Sequence, residues 1–363
     1  MRVAIATCVH HPLDARIYAR QIEALLGAGH DVAYAAPFTA TGTPADERLE
    51  CHDVPRAVGL RRRHAVAMTT AWMRAVSTDV DVLLVHDIEL ARALCKFPVS
   101  AAAVWDVHEN NPEAIASRPY LPRMLRPFVR SLARRWEQRA EDSLRLILAE
   151  TSYLARFTQP HPVVLNLPWV VADQEPLTSG DHAREVVYVG SITQARGVRE
   201  MIDLASLLEP DGIGVTLIGP VDDECARTLL ASSPANLTWL GRLPNAEALN
   251  HVRSSLAGLS LLHDLPNFAG SMPTKVLEYL AQGTPVVTTP LPLAAEVVSS
   301  MDAGVVVPFA DARAAADAVR AIASNPAMRS GMSERGRSGV LKNYNWATAS
   351  GDFVRLLEDW AAH

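Results

Sequence analysis

The chain has 363 residues, 49% of them hydrophobic and 20% charged, with a formal net charge of −6. That excludes a disordered chain and gives room for two domains of about 150–200 residues, each with its own core. Residues 1–170 carry 20 basic against 18 acidic side chains and the remainder 14 against 22, so neither half has the basic excess of a nucleic-acid binder.

No apolar run approaches the roughly 18 residues of a membrane span. The opening Met1-Arg2-Val3-Ala4-Ile5-Ala6 lacks the h-region and cleavage site of a signal peptide, so a mature cytoplasmic protein is expected. Cys8, Cys51, Cys95 and Cys225 are scattered, with no C-x-x-C pair, and are expected to be free and without metal. Arginine supplies all the basic residues but three, Lys96, Lys275 and Lys342.

Short Val, Ile and Leu runs predict strands at Val3–Val9, Val32–Ala35, Val82–Val85, Ala102–Val107, Leu144–Leu148 and Val163–Leu165. A second set is predicted at Val186–Val189, Val215–Ile218, Leu237–Leu240, Leu259–Leu262, Val286–Thr288 and Val305–Val307. Helical patterns such as Tyr18–Leu26, Glu200–Leu208 and Thr274–Gln282 lie between them. Continuous apolar strands separated by helices predict parallel sheets covered on both faces, hence two doubly wound, Rossmann-like α/β domains. Pro160, Pro162, Pro168 and Pro176, followed by Thr178-Ser179-Gly180-Asp181, mark a linker near 166–183. In such sheets ligands sit beyond the carboxyl ends of the strands, so the informative residues should follow strands.

After the first strand comes His10-His11-Pro12-Leu13-Asp14-Ala15-Arg16, which contains no glycine. It lacks the close backbone approach a dinucleotide needs, and no Walker A loop occurs anywhere, which argues against a nicotinamide enzyme. The loop offers imidazoles, a carboxylate and a guanidinium for acid–base and anion contacts; alternatively Asp14 caps the next helix and pairs with Arg16. Asp79-Val80-Asp81 spells a metal-binding D-x-D triplet but precedes its strand, which reads as solvated strand-entry carboxylates. His86-Asp87 follows the third predicted strand. Asp106-Val107-His108-Glu109 closes the fourth, which would put His108 at the sheet edge or bury it as a structural histidine.

Between Arg118 and Arg145 stand eight arginines and three acids. On a helical wheel Leu125, Phe128, Leu132 and Trp136 share one side, and Arg123, Arg126, Arg130 and Arg134 the other. A solvated face on a core-packed helix is one reading; docking to anionic lipid with a lipid-linked acceptor is the other.

In the second half, strand Val186–Val189 leads into Gly190-Ser191-Ile192-Thr193-Gln194-Ala195-Arg196-Gly197, and a helix opens near Val198. A permissive glycine, a forked cation and a helix N-terminus form a phosphate site by chemistry. Further on, the segment from Asn267 to Val287 joins Gly270-Ser271-Met272-Pro273 to a helix carrying Lys275 and Glu278 on one face. A plain surface Lys–Glu pair is the bland alternative. Gly283 ends this helix.

Together these segments resemble the GT-B glycosyltransferases, specifically glycosyltransferase family 4. The resemblance rests on V-G-x-x-x-x-x-[KR]-G at Val189–Gly197, Val215–Gly219, Leu240-Gly241-Arg242-Leu243-Pro244 and the L-E-Y-L-A-Q-G-T-P-V-V stretch at Leu277–Val287. Asn343-Tyr344-Asn345-Trp346 is similar to the family's closing segment. It implies an N-terminal acceptor-side domain at 1–168, a nucleotide-sugar domain at 169–345, and a helix at 346–363 packing back on the first, with the two domains facing across a cleft.

The resemblance further implies a metal-independent enzyme without cofactor that moves a sugar from a UDP-, GDP- or dTDP-linked donor to an acceptor hydroxyl with retention. Donor contacts would come from Gly190, Ser191, Arg196, Gly219, Gly241, Arg242, Leu243, Gly270, Ser271, Met272, Lys275 and Glu278, with Glu278 holding the ribose and Arg196 and Lys275 the diphosphate. His108 would orient the transferred sugar. Catalytic residues are then His108, Arg196, Lys275 and Asp14, with His11, Asp14, Arg16, His86 and Glu109 on the acceptor side. The acceptor would be a glycan, a lipid-linked sugar or a natural product, with peripheral contact at the inner membrane face through Arg123, Arg126, Arg130 and Arg134.

Three departures stand out. Gly270 replaces the first acid of the family's E-x7-E pattern, Ser191 replaces a frequent arginine, and the N-terminal loop lacks Gly-Gly. A nucleotide-sugar-binding protein without transfer activity and a sugar-nucleotide epimerase on the same fold are the rival readings.

Overall fold

Runs of Val, Ile, Leu and Ala that are apolar at every position can only be buried on both faces, and the chain uses them for two parallel sheets. A computed structural model describes residues 1–108, 112, 122–170, 184–221 and 223–363, so Glu109 and the whole 171–183 part of the expected linker lie outside the described residues. The chain divides into two compact units, Met1–Asn166 with Trp346–His363, and Leu167–Asn345.

The first unit contains β1 (Arg2–Ala6), β2 (Asp31–Ala36), β3 (Glu50–Asp53), β4 (Val82–Val85), β5 (Ala102–Val107) and β6 (Arg145–Leu148), in the spatial order β3-β2-β1-β4-β5-β6. All pairings are parallel, with Val3 opposite Val32 on one side and Val82 on the other. The helices used below are α1 (Glu23–Gly27), α2 (Arg62–Val76), α3 (Ile88–Leu94) and α4 (Arg126–Ser143), and a π-helical turn Ile17–Ile22 runs directly into α1.

The second unit contains β7 (Glu185–Val189), β8 (Gly214–Ile218), β9 (Leu237–Trp239), β10 (Ala257–Ser260), β11 (Val286–Thr288) and β12 (Gly304–Val306), ordered β12-β11-β10-β7-β8-β9. Its helices include α5 (Val198–Leu208), α6 (Glu224–Leu230), α7 (Asn245–Ser254), α8 (Thr274–Ala281), α9 (Pro292–Ser300), α10 (Ala312–Ser324) and α11 (Pro326–Asn343). Renumbered within each unit, both orders are 3-2-1-4-5-6, the Rossmann arrangement. Strand order therefore reverses once per sheet, between β1 and β4 and between β7 and β10, and the loops after those strands part to leave a crevice.

Two strand expectations needed correction. Glu50–Asp53 is an edge strand that hydropathy misses, because an outer strand with exposed Glu50, His52 and Asp53 buries little. Val163–Leu165 is no strand; only Val163 bridges to Leu148. β1 also stops at Ala6 rather than Val9, since the Asp87 carboxylate takes the Cys8 N–H at 2.6 Å.

Trp346, buried completely, opens α12 (Trp346–Ala361) within the first unit and donates its indole N–H to the Arg20 carbonyl at 3.2 Å. Further along, His30 Nε2 meets Glu358 at 3.0 Å. In the second unit Asn345 pairs through both side-chain atoms with the backbone of Val170, each bond 3.1 Å, so its entering and leaving strands of chain are tied together.

Candidate functional site

The Rossmann reversal places two sets of polar side chains, one in each unit. In the second unit the loops after β7 and β8 are stitched by backbone bonds. Gly190 N–H donates to Ile218 O at 2.8 Å, Ile192 N–H to Pro220 O at 2.8 Å, and Gly219 N–H to Gly241 O at 2.7 Å. A Cβ on Gly219 would lie 2.0 Å from the Gly190 carbonyl, so glycine is required where the two loops cross. Gly197, at φ +85°, turns the chain into α5 so close to the Leu261 carbonyl that a Cβ would lie 2.2 Å from it.

This tight weave leaves Gly190 (φ +140°) facing two cationic side chains and a hydroxyl. Lys275 Nζ and Tyr188 Oη lie 3.4 Å, and Arg196 Nη1 3.7 Å, from the point its Cβ would occupy. Lys275 comes from the first turn of α8, where unpaired helix N–H groups add a partial positive charge. Its Nζ is shielded from solvent and has no hydrogen-bond partner, resting 4.0 Å from the centre of the Tyr188 ring. Burial holds the Lys275 ammonium well below its usual pKa range, the adjacent Arg196 charge pushes the same way, and Glu278 opposes both. Two cations packed together without a carboxylate between them make a site for an anion.

The scaffold under this pocket is specific. Tyr279, one residue after Glu278, lies flat on Gly258 of β10, where any Cβ would fall 2.2 Å from the ring. Its hydroxyl accepts the Val189 N–H at 2.8 Å, which fixes α8 against the end of β7. His263, just after β10, was not singled out from the sequence. It contacts Glu200 at 3.0 Å, and its N–H donates to Ala195 O at 3.0 Å, joining the two loops of the reversal. Its signal was only its position after a strand.

In the first unit the loops after β1, β4 and β5 converge on a buried cluster. Arg16 turns inward, not toward ligand: its Nε and Nη2 grip both oxygens of Asp106 at 2.8 and 2.9 Å, and its Nη1 donates to Val164 O at 2.9 Å. Gln21 donates to the same carboxylate. Asp14 Oδ1 accepts the N–H groups of Arg16 and Ile17 at 2.9 and 3.1 Å, so it caps the following helical turn as the alternative reading held, without pairing with the Arg16 guanidinium. His11 Nδ1 accepts the Leu13 N–H at 3.1 Å, shaping the turn.

His108 faces His10 across 3.1 Å between their Nε2 atoms, so one imidazole donates and the other accepts. His10 in turn lies 3.4 Å from Asp87, which also accepts from Thr7 and Cys8. The loop sequence advertised His11; the residue that reaches His108 is His10, a long-range pairing that spacing does not reveal. His86 is buried, 3.6 Å from Asp106, with both ring nitrogens unpartnered. His86, Asp106 and His108 have donor atoms within 4.8 Å of one another, a set that could hold a divalent ion by count and type. The Arg16 fork already neutralises that carboxylate, which opposes a second cation there.

Of the basic helix, Arg126, Arg130 and Arg134 lie on α4, while the side chain of Arg123 is outside the described residues. The apolar side expected to face the core does not. Ala133, Glu137 and Ala140 are buried instead, and Met124, Leu125 and Phe128 are 91, 49 and 68% exposed. Only Trp136 of the expected stripe packs inward, under the Arg92 guanidinium at 4.4 Å. The inward stripe is set by the buried Glu137–Arg156 ion pair, a polar contact that a hydropathy wheel cannot weigh.

Two Rossmann-ordered sheets with an anion pocket at the second reversal define a GT-B α/β protein. A model of the family described as "Glycosyl transferases group 1" matches residues 172–339. The chain is 26% identical over 179 residues to a phosphatidyl-myo-inositol mannosyltransferase of Mycobacterium leprae, covering 48% of this chain and 46% of that protein. It is 25% identical over 299 residues to that of Mycolicibacterium smegmatis, covering 77% and 71%. The match therefore spans less than half the length of the first relative. Sucrose-phosphate synthase from Thermosynechococcus elongatus has the same fold, with a TM-score of 0.74 over 99% of both chains at 16% identity.

Burial drives the His86 pKa well below its usual value, with only Asp106 opposing; His108, His10 and Arg16 reinforce the shift. A base whose folded pKa is depressed adds stability above its unfolded value of ~6.5 and loses it as pH falls through that value. The melting temperature should therefore drop between pH 7 and pH 5, and His86→Gln should flatten that slope. An unchanged slope in the variant would show that His86 is already charged when folded.

Proposed function

We propose that the chain transfers a sugar from a nucleoside-diphosphate sugar to an acceptor hydroxyl, with retention and without a metal. The observation that carries this is the buried Lys275 ammonium, without a hydrogen-bond partner, packed with Arg196 over Gly190. Cleaving a sugar–phosphate bond builds negative charge on the leaving diphosphate and positive charge on the sugar. Cations placed beforehand in a desolvated pocket stabilise the first without reorganising at the moment of reaction. The Lys275 burial that is unfavourable in the free protein becomes favourable once a diphosphate sits there.

On this reading Glu278, one helical turn from Lys275, takes the ribose hydroxyls, and the Gly241–Leu243 backbone contacts the base. Gly219 supplies close approach, while Gly270, Ser271, Met272 and Ser191 line the donor. His108, held by its bond to His10, orients the transferred sugar. Retention follows from front-face attack assisted by the leaving phosphate oxygen. Asp14 as a base on the acceptor ranks second, because Oδ1 already accepts two backbone N–H groups. The mannosyltransferase relatives favour a hexose donor.

The acceptor-side proposal concerns α4. Phe128 stands exposed on α4 and Met124 and Leu125 in the turn just before it, and the helix also carries Arg126, Arg130, Arg134, Arg135 and Arg139. Apolar side chains that insert at the headgroup boundary, flanked by guanidiniums, fit an anionic lipid surface and a lipid-borne acceptor. Among the described residues no helix is long and apolar enough to cross a membrane, so contact would be peripheral.

Thermal unfolding against UDP, GDP, dTDP, ADP and NAD tests the donor site. One nucleoside diphosphate at ~100 times its Kd should add about 2.7 kcal/mol, with or without EDTA, and Glu278→Ala should abolish the gain. A response to NAD alone, or to nothing, would remove the transferase reading; donor conversion without acceptor would select the epimerase.

Because a diphosphate raises the depressed Lys275 pKa, donor binding should take up protons at pH values between the free and the bound pKa of that group. Titration calorimetry in buffers of different ionisation enthalpy should show that uptake, and Lys275→Met should remove it.

Vesicles containing phosphatidylglycerol should co-pellet the protein, while neutral vesicles should not. Phe128→Asp, or reversal of Arg126 and Arg130 to Glu, should lower the bound fraction at least tenfold; unchanged retention would leave α4 a plain solvated helix.

A further inference from the structure

Trp239 closes β9, the outer strand of the second sheet, where charged side chains usually guard an edge. Its indole is 46% exposed. The ring N–H donates to the Gly219 carbonyl at 2.9 Å, and among the described residues that is its only polar or ring contact. One edge of the ring is pinned, while much of the rest stays open to solvent.

Strand register places this ring relative to the anion pocket. Tyr188 of β7 stands opposite Leu217 of β8, and Leu217 opposite Trp239 of β9. Side chains paired in this way leave the sheet on one face, so Tyr188, Leu217 and Trp239 form a row. Neighbouring strands lie ~4.8 Å apart, which sets Trp239 roughly 10 Å from Tyr188 across the row. Lys275 Nζ rests 4.0 Å from the centre of the Tyr188 ring, at the far end. The carbonyl that pins the indole belongs to Gly219, the residue that crosses Gly190 below the same ammonium. Gly219 N–H in turn donates to Gly241 O at 2.7 Å. A Cβ on Gly241 would meet no atom within 4 Å among the described residues, so the backbone just past the ring is open as well.

A cation at one end of the row and a pinned aromatic ring at the other stand about as far apart as a ribose and one phosphate reach. That interval matches a nucleotide laid across the strand ends. We propose that Trp239 is the platform on which the base of the nucleoside diphosphate stacks, and that this ring supplies most of the affinity for the nucleoside half of the donor. On the donor reading, which this role presupposes, the Gly241–Leu243 backbone addresses only the edge of the base; the face is left to Trp239. Stacking on an aromatic side chain tolerates any base, because every base has a π-face, and it is lost when the ring is removed. An indole whose N–H is already bonded gives up little rotamer freedom when a base settles on it.

Calorimetric titration of the full chain with UDP, GDP and inorganic pyrophosphate, which has no base, tests the role. The tighter nucleoside diphosphate should lose roughly tenfold or more in affinity in Trp239→Leu, and stay within about threefold in Trp239→Phe, which keeps a ring without the N–H. Pyrophosphate should bind the wild type and both variants alike. The same nucleotide, but not pyrophosphate, should quench tryptophan emission of the wild type, and Trp239→Phe should remove that quench while the nucleotide still binds. Equal loss of nucleotide and pyrophosphate in Trp239→Leu would mean that the ring only props the Gly219 loop, and overturns the platform. Undiminished nucleotide affinity in Trp239→Leu, or a quench that persists in Trp239→Phe, overturns it too and leaves the anion pocket standing. Failure of all three probes to bind the wild type would instead remove the donor reading, and the platform with it.

Discussion

A parallel sheet covered by helices on both faces has nowhere to keep a charged side chain except at its strand ends. Every other position along β1, β4, β7 or β10 is closed to water, and an ionised group there would cost several kcal/mol unless paired. The two sheets obey that constraint closely. Buried Arg16, His86, Asp87 and Asp106 in the first unit stand at or just after strand ends beside the point where strand order reverses, and in the second unit buried Lys275 Nζ lies over Gly190, just past the end of β7. The chemistry of the protein is therefore confined by topology before any particular residue is considered.

The two reversals use their charge in opposite ways. In the first unit the strong charges cancel internally: burial pushes the Asp106 carboxyl up, but the Arg16 charge and hydrogen bonds, together with His86 and His108, bring it down to about 2, so the pair stays ionic at neutral pH. That pair locks the loop after β1 to the end of β5 and so fixes the backbone from which His10 and His108 meet. In the second unit the Glu278 charge opposes Lys275 and Arg196 only from a distance, and Lys275 Nζ has no hydrogen-bond partner among the described residues. A fold that had only to be stable would replace a partnerless buried ammonium with methionine at no loss. Stability lost at one reversal and secured at the other is the pattern expected of a pocket completed by its ligand beside a frame that holds itself.

Legibility in the sequence followed the same division. Central strands were plain because all-apolar runs admit few alternatives, and the two doubly wound α/β domains followed from twelve such runs and their intervening helices, while the GT-B resemblance rested on the motifs after those strands. Edge strand Glu50–Asp53 was invisible because its pairing is made by backbone atoms while its side chains face water. The α4 face was misjudged for a related reason: periodicity counts Leu125, Phe128 and Leu132 as core, but Glu137 and Arg156 decide which side turns in. Lys275 was legible as an unusual lysine on a helix start. Arg16 was not, since its partner lies 90 residues away and only the folded sheet brings Asp106 beneath it.

Ser191 illustrates how a site can keep its charge while changing its residues. In the resembling family an arginine often stands there, beside the first glycine of the loop, and this chain has given it up. The space over Gly190 is nonetheless filled by a cation, because α8 carries Lys275 Nζ to 3.4 Å from where a Gly190 Cβ would be. The substitution works only because Tyr279 clamps α8 to β7 through Val189 and seats its ring on Gly258, so the ammonium arrives at a fixed place. A long flexible lysine on a loop could not replace a guanidinium in this way; one delivered by a pinned helix can. The field above Gly190 is set by the packing beneath α8 as much as by the identity of the residue after the glycine.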